Sequence, residues 1–192
     1  MFRHPFPTRA ALVLAAVATS ACGEANLLPP ATLAVREDTI RLWAVSGTDI
    51  GLPSAYDLVL GLTARTDRTS DFDFVFDFVY DSVAHDTVPA LLPRAALGLS
   101  ADGGLVRVAT RFDSLYAAPA GGYDASKVVF LDSTTVVVAR SRTQTCNFGI
   151  YSGIFAKLVP LELSRTYRRL TMRLVTDPNC GYHSFRPGVP GN

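Results

Sequence analysis

One stretch of the chain, residues 71–81, alternates acidic and aromatic residues in the order DFDFVFDFVYD. Successive side chains of a β-strand point to opposite faces, so this period of two predicts a strand rather than a helix. The aromatic side chains would share one face of that strand: Phe72, Phe74, Phe76, Phe78 and Tyr80. The acidic side chains would share the other: Asp71, Asp73, Asp77 and Asp81. We predict that the aromatic face packs in a core and that the acidic face meets solvent.

The rest of the chain repeats short runs of β-branched and aromatic residues, broken by Gly, Pro, Asp and Asn. These runs predict further strands: two within 33–45 around Glu37-Asp38, one over 56–64, a hairpin about Asp102-Gly103-Gly104, a pair over 128–141 that turns near Asp132-Ser133, and a hairpin of 150–163 with 167–176. No segment has a sustained helical period, although a short helix is expected near 113–118. The pattern therefore predicts an all-β fold, an antiparallel β-sandwich, with a small closed β-barrel as the alternative.

The first 21 residues have the layout of a secretory signal. Arg3 and Arg9 precede an apolar run over 10–18, and small residues follow it. A charged region, an apolar region and small residues at a cleavage point make a cleaved signal peptide. The apolar run is too short for a membrane-spanning helix, which needs about 20 residues. We therefore predict that residues 1–21 are removed and that the protein is exported.

The end of this signal is Thr19-Ser20-Ala21-Cys22, and it resembles the lipobox of a bacterial lipoprotein precursor. Ser20, Ala21 and Cys22 match that pattern, whereas Thr19 stands where the family usually has leucine or another aliphatic residue. The resemblance implies that Cys22 is acylated, becomes the mature N-terminus and binds a membrane of the cell envelope through its acyl chains. The alternative is an ordinary signal, cleaved after Ala18 or Ala21, and a soluble exported protein with a free thiol.

The same resemblance bears on which membrane is involved and on how the chain is organised. Gly23 follows the cysteine where some bacteria read aspartate as an inner-membrane retention signal, so the outer membrane is favoured over the inner one. Residues 22–31 would be the lipidated N-terminus and a short tether. A single β domain would span 32–186, and the Pro-rich residues 187–192 would be a C-terminal tail.

Charge excludes one class of partner. The signal contains two arginines and no acidic residue, so the remaining 171 residues have 16 basic and 17 acidic side chains. Proteins that bind nucleic acid present a strongly basic face, and a nearly neutral chain gives no electrostatic basis for one. We therefore predict no nucleic-acid partner.

The chain has three cysteines, an odd number for an exported protein. If Cys22 is acylated, Cys146 and Cys180 remain as a pair in an oxidising compartment. When the 150–163 and 167–176 hairpin is closed with residue 163 facing 166, Cys180 faces about residue 149. The spacing therefore predicts a Cys146–Cys180 disulfide at the open ends of that hairpin. A zinc site of Cys146, Cys180 and His183 is the rival, but it lacks an evident fourth ligand.

Signals for catalysis and cofactors are weak. The sequence has neither the G-x-S-x-G nor the H-E-x-x-H motif of the common hydrolases. His85 and His183 are the histidines left after the signal, and His85 has acidic neighbours at Asp81 and Asp86. A calcium site on Asp73 and Asp77 would need to bridge about 13 Å along an extended strand. We predict no catalytic residue, no metal and no cofactor.

Three functions fit these observations. The first is a lipid-anchored envelope protein that acts by binding or scaffolding, with an envelope protein as its partner. The second is a carrier of a small apolar ligand that uses the aromatic residues of the 72–80 strand as the wall of a pocket: Phe72, Phe74, Phe76, Phe78 and Tyr80. The third is an exported β-fold hydrolase that uses His85 or His183.

Overall fold

The computed structural model describes residues 28–146 and 149–191. These residues form twelve strands, with two short 3₁₀ helices at Arg94–Leu97 and Phe112–Ser114. The strands are β1 (Arg36–Trp43), β2 (Ala55–Asp57), β3 (Leu62–Ala64), β4 (Phe74–Asp81), β5 (Asp86–Pro93), β6 (Gly104–Val108), β7 (Val129–Phe130), β8 (Val136–Arg140), β9 (Gln144–Thr145), β10 (Tyr151–Ser152), β11 (Phe155–Ser164) and β12 (Arg169–Asp177).

Ten of these strands build two antiparallel sheets of five strands each. The first has the order β1-β12-β11-β8-β6, and the second has the order β3-β2-β4-β5-β7. The remaining pair, β9 and β10, forms a small ribbon of its own. Since the two large sheets stay separate and do not close into a barrel, the prediction of an all-β sandwich is confirmed.

The core lies between the sheets and follows from the period of two along each strand. In β4, Phe74 and Phe76 are fully buried and Phe78 is nearly so, on the face toward the other sheet. In β12, Leu170 and Met172 point back toward them. Burying aromatic and aliphatic side chains at about 25 cal/mol per Å² is the main term that holds the sheets together.

A second apolar cluster covers the outer face of the first sheet. The Phe112–Ser114 helix lies where the sequence predicted a short helix, and Phe112 packs there with Phe185 from the C-terminal segment. Farther along that segment, the backbone N–H of Val35 donates to the carbonyl of Gly188 at 2.9 Å. The first sheet is therefore covered on both faces over much of its length.

Four of the strand predictions are wrong. The segment 56–64 holds two short strands, β2 and β3, instead of one. The segment 128–141 holds β7 and β8, but they join different sheets instead of pairing with each other.

The other two errors concern residues 33–45 and the segment around Gly103. Residues 33–45 hold one strand, β1, because Glu37 and Asp38 stay in register with β12 instead of forming a turn. The Asp102-Gly103-Gly104 segment is not a hairpin turn, since β5 and β6 belong to different sheets. It is a crossover in which the backbone of Gly103, with φ 80°, passes so close to Arg140 that a Cβ would lie 2.6 Å from the carbonyl oxygen.

The hairpin of β11 and β12 is present, but its register differs from the predicted one. Leu163 pairs with Leu170 and Ser164 with Arg169, so the turn occupies 165–168. Arg168 adopts φ 47°, a left-handed conformation that is uncommon for a residue with a side chain. The sequence indicated a turn here but not its exact position, because the turn contains neither glycine nor asparagine to mark the left-handed residue.

The two ends of the sandwich contain different structural features, a disulfide at one end and two tight turns at the other. We call the one with the termini of β11 and β12 near Cys146 and Cys180 the disulfide end, and the one with the turns 82–85 and 165–168 the hairpin end. The nine residues of β12 separate these ends by about 30 Å, at roughly 3.3 Å per residue.

Candidate functional site at the disulfide end

A disulfide joins Cys146 to Cys180, as the sequence predicted. Their Cα atoms are 5.9 Å apart, a normal spacing for a disulfide, and 34 positions separate them along the chain. The bond lies just beyond the start of β11 and the end of β12, so it closes the open ends of that hairpin.

The ribbon of β9 and β10 is what brings Cys146 to this point. Tyr151 pairs with Thr145, and the backbone N–H of Cys146 donates to the carbonyl of Ile150 at 2.7 Å. The chain thus folds back before β11 begins. Cys180 consequently lies beside residues 152–153, because the backbone N–H of its neighbour Gly181 donates to the carbonyl of Gly153. This position is a few residues from 149, the one that the sequence predicted.

A buried cluster of charged side chains lies beside the disulfide, and the sequence did not predict it. Arg142 contacts Asp57 at 3.1 Å and Asp73 at 3.9 Å. Both aspartates are nearly inaccessible, with 2% of Asp57 and 3% of Asp73 exposed. The cluster links the second sheet to the segment that leads from β8 to Cys146.

Backbone donors complete the cluster. Asp73 accepts 2.7 Å hydrogen bonds from the backbone N–H groups of Leu58 and Arg142. Asp57 accepts from the N–H of Val59 at 2.8 Å. Burial raises the pKa of Asp73, and the hydrogen bond and charge of Arg142 oppose that rise. Removing one member of such a buried ionic cluster is strongly destabilising, because the remaining groups lose a partner away from water.

The position of Asp73 corrects the prediction for the acidic side of the aromatic strand. Period-two alternation placed Asp73 on a solvated face, but β4 begins at Phe74 and Asp73 is buried against Arg142. Arg142 is 69 positions away in sequence, so no local pattern could have revealed the pair. Asp77, by contrast, remains half-buried and contacts Ser46 and Arg168.

The segment before β1 is fastened to the same end. The side-chain oxygen of Asn179 accepts hydrogen bonds from the backbone N–H groups of Thr32 and Leu33, both at 3.0 Å, and its amide donates to the carbonyl of Leu33. The hydroxyl of Tyr182 donates to the carbonyl of Pro29 at 3.0 Å. The chain therefore joins the sandwich next to Cys180.

Leu28 is the first described residue, and its side chain lies against Gly181. Gly181 has φ 84°, a left-handed conformation that favours glycine, and its missing Cβ leaves room for the Leu28 side chain. The adjacent surface holds a cavity of about 380 Å³ that Pro29, Leu33 and Val59 line together with both cysteines. Cys22, Gly23 and the whole predicted signal lie outside the described residues.

The aromatic residues proposed for ligand binding do not line a common pocket wall. Phe74, Phe76 and Phe78 pack in the core between the sheets. Phe72 precedes β4 and packs instead on the outer side of the second sheet, below the guanidinium of Arg94. Tyr80 is largely exposed near the hairpin end. The predicted alternation therefore holds for the three central rings and fails at both ends of the stretch.

The two histidines proposed for hydrolysis lie far from each other in different surroundings. His85 is exposed in the turn between β4 and β5, at φ 52°. The ring of His183 stacks on Phe155 at 4.1 Å, and its Nδ1 atom is 3.3 Å from the carbonyl oxygen of Ala118. Within 28–146 and 149–191, no hydrogen bond of the structure joins either ring to a serine hydroxyl or a carboxylate.

The residues considered for metal binding have other partners. Cys146 and Cys180 are bonded to each other, which removes the thiolates that the zinc alternative needs. Asp73 and Asp77 contact different arginines, so they do not form the calcium site considered from sequence. Among the described residues, no group of three or more His, Cys, Asp and Glu side chains is arranged to hold a metal ion.

Comparison with known proteins places the chain in no family. It matches no family model, and no curated protein matches it. In the part of the chain that the structure describes, no helix is both long and apolar enough to cross a membrane.

Proposed function

We propose that this protein is a lipid-anchored protein of the bacterial cell envelope, and that its sandwich acts by binding or scaffolding rather than by catalysis. The observation that carries the proposal is the Cys146–Cys180 disulfide. It uses two of the three cysteines, and the third, Cys22, stands where the lipobox-like segment ends. An exported protein with one leftover cysteine needs a role for that thiol, and acylation supplies one.

The contacts at the disulfide end support the proposal. Five residues separate Cys22 from Leu28, and Asn179 and Tyr182 hold the chain immediately after Leu28 by hydrogen bonds. A short tether that leads directly to a covalently closed end suits a protein held at a membrane. Three-acyl or two-acyl anchors bind a bilayer firmly because each buried CH₂ contributes about 0.8 kcal/mol.

The deciding experiment is the intact mass of the protein extracted from its own membrane without reductant. We expect a chain that begins at Cys22, carries added acyl mass and is two hydrogens lighter than the dithiol form. Cys22→Ser should lose the acyl mass, whereas the double variant Cys146→Ser, Cys180→Ser should keep it. An unacylated chain that begins at another residue would overturn the anchor.

Thr19 offers a second test, because it departs from the lipobox. Thr19→Leu restores the aliphatic residue of the family and should increase the fraction of the chain that is acylated, measured by the same mass analysis. If the unmodified chain is already fully acylated, Thr19→Leu should leave the acylated fraction unchanged, which agrees with the proposal. If neither the unmodified chain nor Thr19→Leu is acylated, the proposal is contradicted.

The membrane itself is also part of the proposal. Gly23 favours the outer membrane, so the acylated chain should sediment with outer-membrane fractions in a density gradient. Gly23→Asp should move it to inner-membrane fractions in a host that reads this retention signal, and an unchanged distribution there would contradict the assignment.

A further inference from the structure

We infer that the disulfide end of the sandwich lies against the bilayer that holds the anchor and contacts its lipid surface through exposed apolar side chains of that end. The inference rests on the proposed acylation of Cys22. It adds an interaction surface and an orientation, neither of which follows from acylation alone.

The length of the tether decides which end can face the membrane. The six residue-to-residue steps from Cys22 to Leu28 span at most about 20 Å when fully extended. The sandwich is about 30 Å long between its two ends, as the nine residues of β12 show. Since the tether is shorter than the sandwich and is fixed at the disulfide end, the hairpin end cannot turn to face the bilayer.

The disulfide end also carries the side chains that such a contact needs. Leu60 is 67% exposed and Tyr151 is 73% exposed. Leu60 follows Val59, which lines the same cavity as Pro29, and Tyr151 pairs with Thr145, which also lines that cavity. Apolar residues and tyrosine suit the boundary between headgroups and acyl chains, where an apolar body and a polar tip can both be satisfied.

Exposure alone does not distinguish the two ends, since Val83 and Tyr167 are exposed at the hairpin end. The distinction comes from their distance to the point of attachment. Tyr151 precedes Ser152, which lies against Gly181 beside Leu28. Leu60 follows Val59, which lines a cavity together with Pro29. Val83 and Tyr167 lie instead in the turns at the far end of the strands. Val83 is therefore the matched control for any measurement of lipid contact.

Tryptophan fluorescence tests the inference in the full acylated chain. The sequence contains one tryptophan, so Trp43→Phe gives a background without indole emission. In that background, Leu60→Trp, Tyr151→Trp and Val83→Trp each place one indole at an exposed position. Each chain is reconstituted in vesicles of plain phosphatidylcholine or of its dibrominated form, whose bromines quench indole emission.

We expect loss of emission in brominated vesicles for Leu60→Trp and Tyr151→Trp, and unchanged emission for Val83→Trp. Emission that is unchanged in all three chains, or lost equally in all three, would overturn the orientation. The intact mass of each chain separates this failure from failure of the anchor, because an unacylated chain overturns the proposed function and with it the orientation. Thermal unfolding of each variant beside the unmodified chain confirms that the sandwich is retained.

Discussion

The two ends of the sandwich each contain an Arg–Asp contact, and the two contacts differ in burial. At the disulfide end, Arg142 meets Asp57 at 3.1 Å, where little of either side chain is accessible to solvent. At the hairpin end, Arg165 meets Asp86 at 3.7 Å, with 58% and 61% of their side chains exposed. The same two residue types therefore form one contact that is shielded from water and one that is exposed to it.

This difference determines what each contact can do. An exposed pair gains about 0–1 kcal/mol, because water solvates both charges and salt screens them. A buried pair adds little net stability over apolar residues, but losing one partner leaves an uncompensated charge away from water. The disulfide end thus combines a covalent bond with a buried ionic contact, whereas the Arg165–Asp86 contact of the hairpin end is largely exposed to water.

The largest effect should come from breaking the buried cluster. Asp73→Ala removes one of the two carboxylates facing Arg142 and two acceptors of backbone N–H groups. We expect the free energy of unfolding to fall by about 3–5 kcal/mol, measured by urea denaturation. Asp86→Ala, the matched exposed aspartate, should change it by less than about 1 kcal/mol. Equal losses in the two variants would remove the distinction between the ends.

Removing the disulfide should have a comparable but somewhat smaller effect. The double variant Cys146→Ser, Cys180→Ser frees a loop closed over 34 positions. The entropy of that loop in the unfolded chain should reduce the free energy of unfolding by about 3–4 kcal/mol. Cys22→Ser replaces the cysteine that lies outside this loop in the sequence and should leave urea unfolding unchanged. A loss for Cys22→Ser equal to that for the double variant would contradict this account.

A buried lysine, Lys157, lies on the outer face of the first sheet, and among the described residues no carboxylate lies within ion-pair distance of it. Lys157 is 5% exposed and donates to the backbone carbonyls of Phe112 and Leu115 at 2.7 and 3.0 Å. Its ammonium also lies 4.4 Å from the centre of the Phe112 ring. Lys157→Met should reduce the free energy of unfolding by about 2 kcal/mol, because two buried carbonyls lose their donor. The exposed Lys127 gives the matched control, Lys127→Met, with an effect near zero.

The pH dependence of stability gives a second signature of Lys157. Burial lowers the pKa of its amine below the ordinary value of 10.5. Between the folded and unfolded pKa values the unfolded chain binds a proton that the folded chain has lost, so the free energy of unfolding rises with pH in that interval. This rise should be absent in Lys157→Met and present in Lys127→Met when urea unfolding is followed as the pH is raised toward 10.5. Burial raises the pKa of Tyr56 from 10.0 to about 12, so Tyr56 lowers stability only as the pH rises above 10, and it does so equally in both variants.

Sequence predicted those parts of the molecule that depend on local periodicity and on cysteine arithmetic. The alternation through Phe74, Phe76 and Phe78 gave the core strand, and the odd cysteine count gave the Cys146–Cys180 pair. The aspartate at position 73 shows why the rest was missed. Its burial depends on Arg142, which reaches it only after two sheets have packed, and no pattern within a strand contains that information.

The pairing of strands was harder to predict for a related reason. A sequence pattern indicates that a strand is present, but it does not say which sheet the strand joins. Gly103 appeared as the centre of a hairpin because glycine favours tight turns. The structure uses it in a crossover between sheets, where the close approach to Arg140 requires the missing Cβ.

The smallest effect should come from an ion pair of intermediate exposure. Arg173 donates to Glu37 at 2.6 Å and to Asp113 at 2.8 Å on the outer face of the first sheet, and about a third of its side chain is exposed. The hydrogen bond and charge of Arg173 lower the pKa of Glu37. This lowering stabilises the fold above the ordinary pKa of glutamate, and the stabilisation is lost as the pH falls through the lowered folded value.

Glu37→Gln should therefore reduce the free energy of unfolding at pH 7 by about 0.2–1 kcal/mol, because solvent screens the exposed carboxylate. The reduction should shrink further in 1 M salt, where the Debye length is about 3 Å, and should vanish at acidic pH once Glu37 is protonated in the unmodified chain. Asp73→Ala should keep most of its effect in the same salt, since its charges are away from water. Urea unfolding of both variants at low and high salt measures this contrast directly, and an equal response to salt would show that burial does not separate the two contacts.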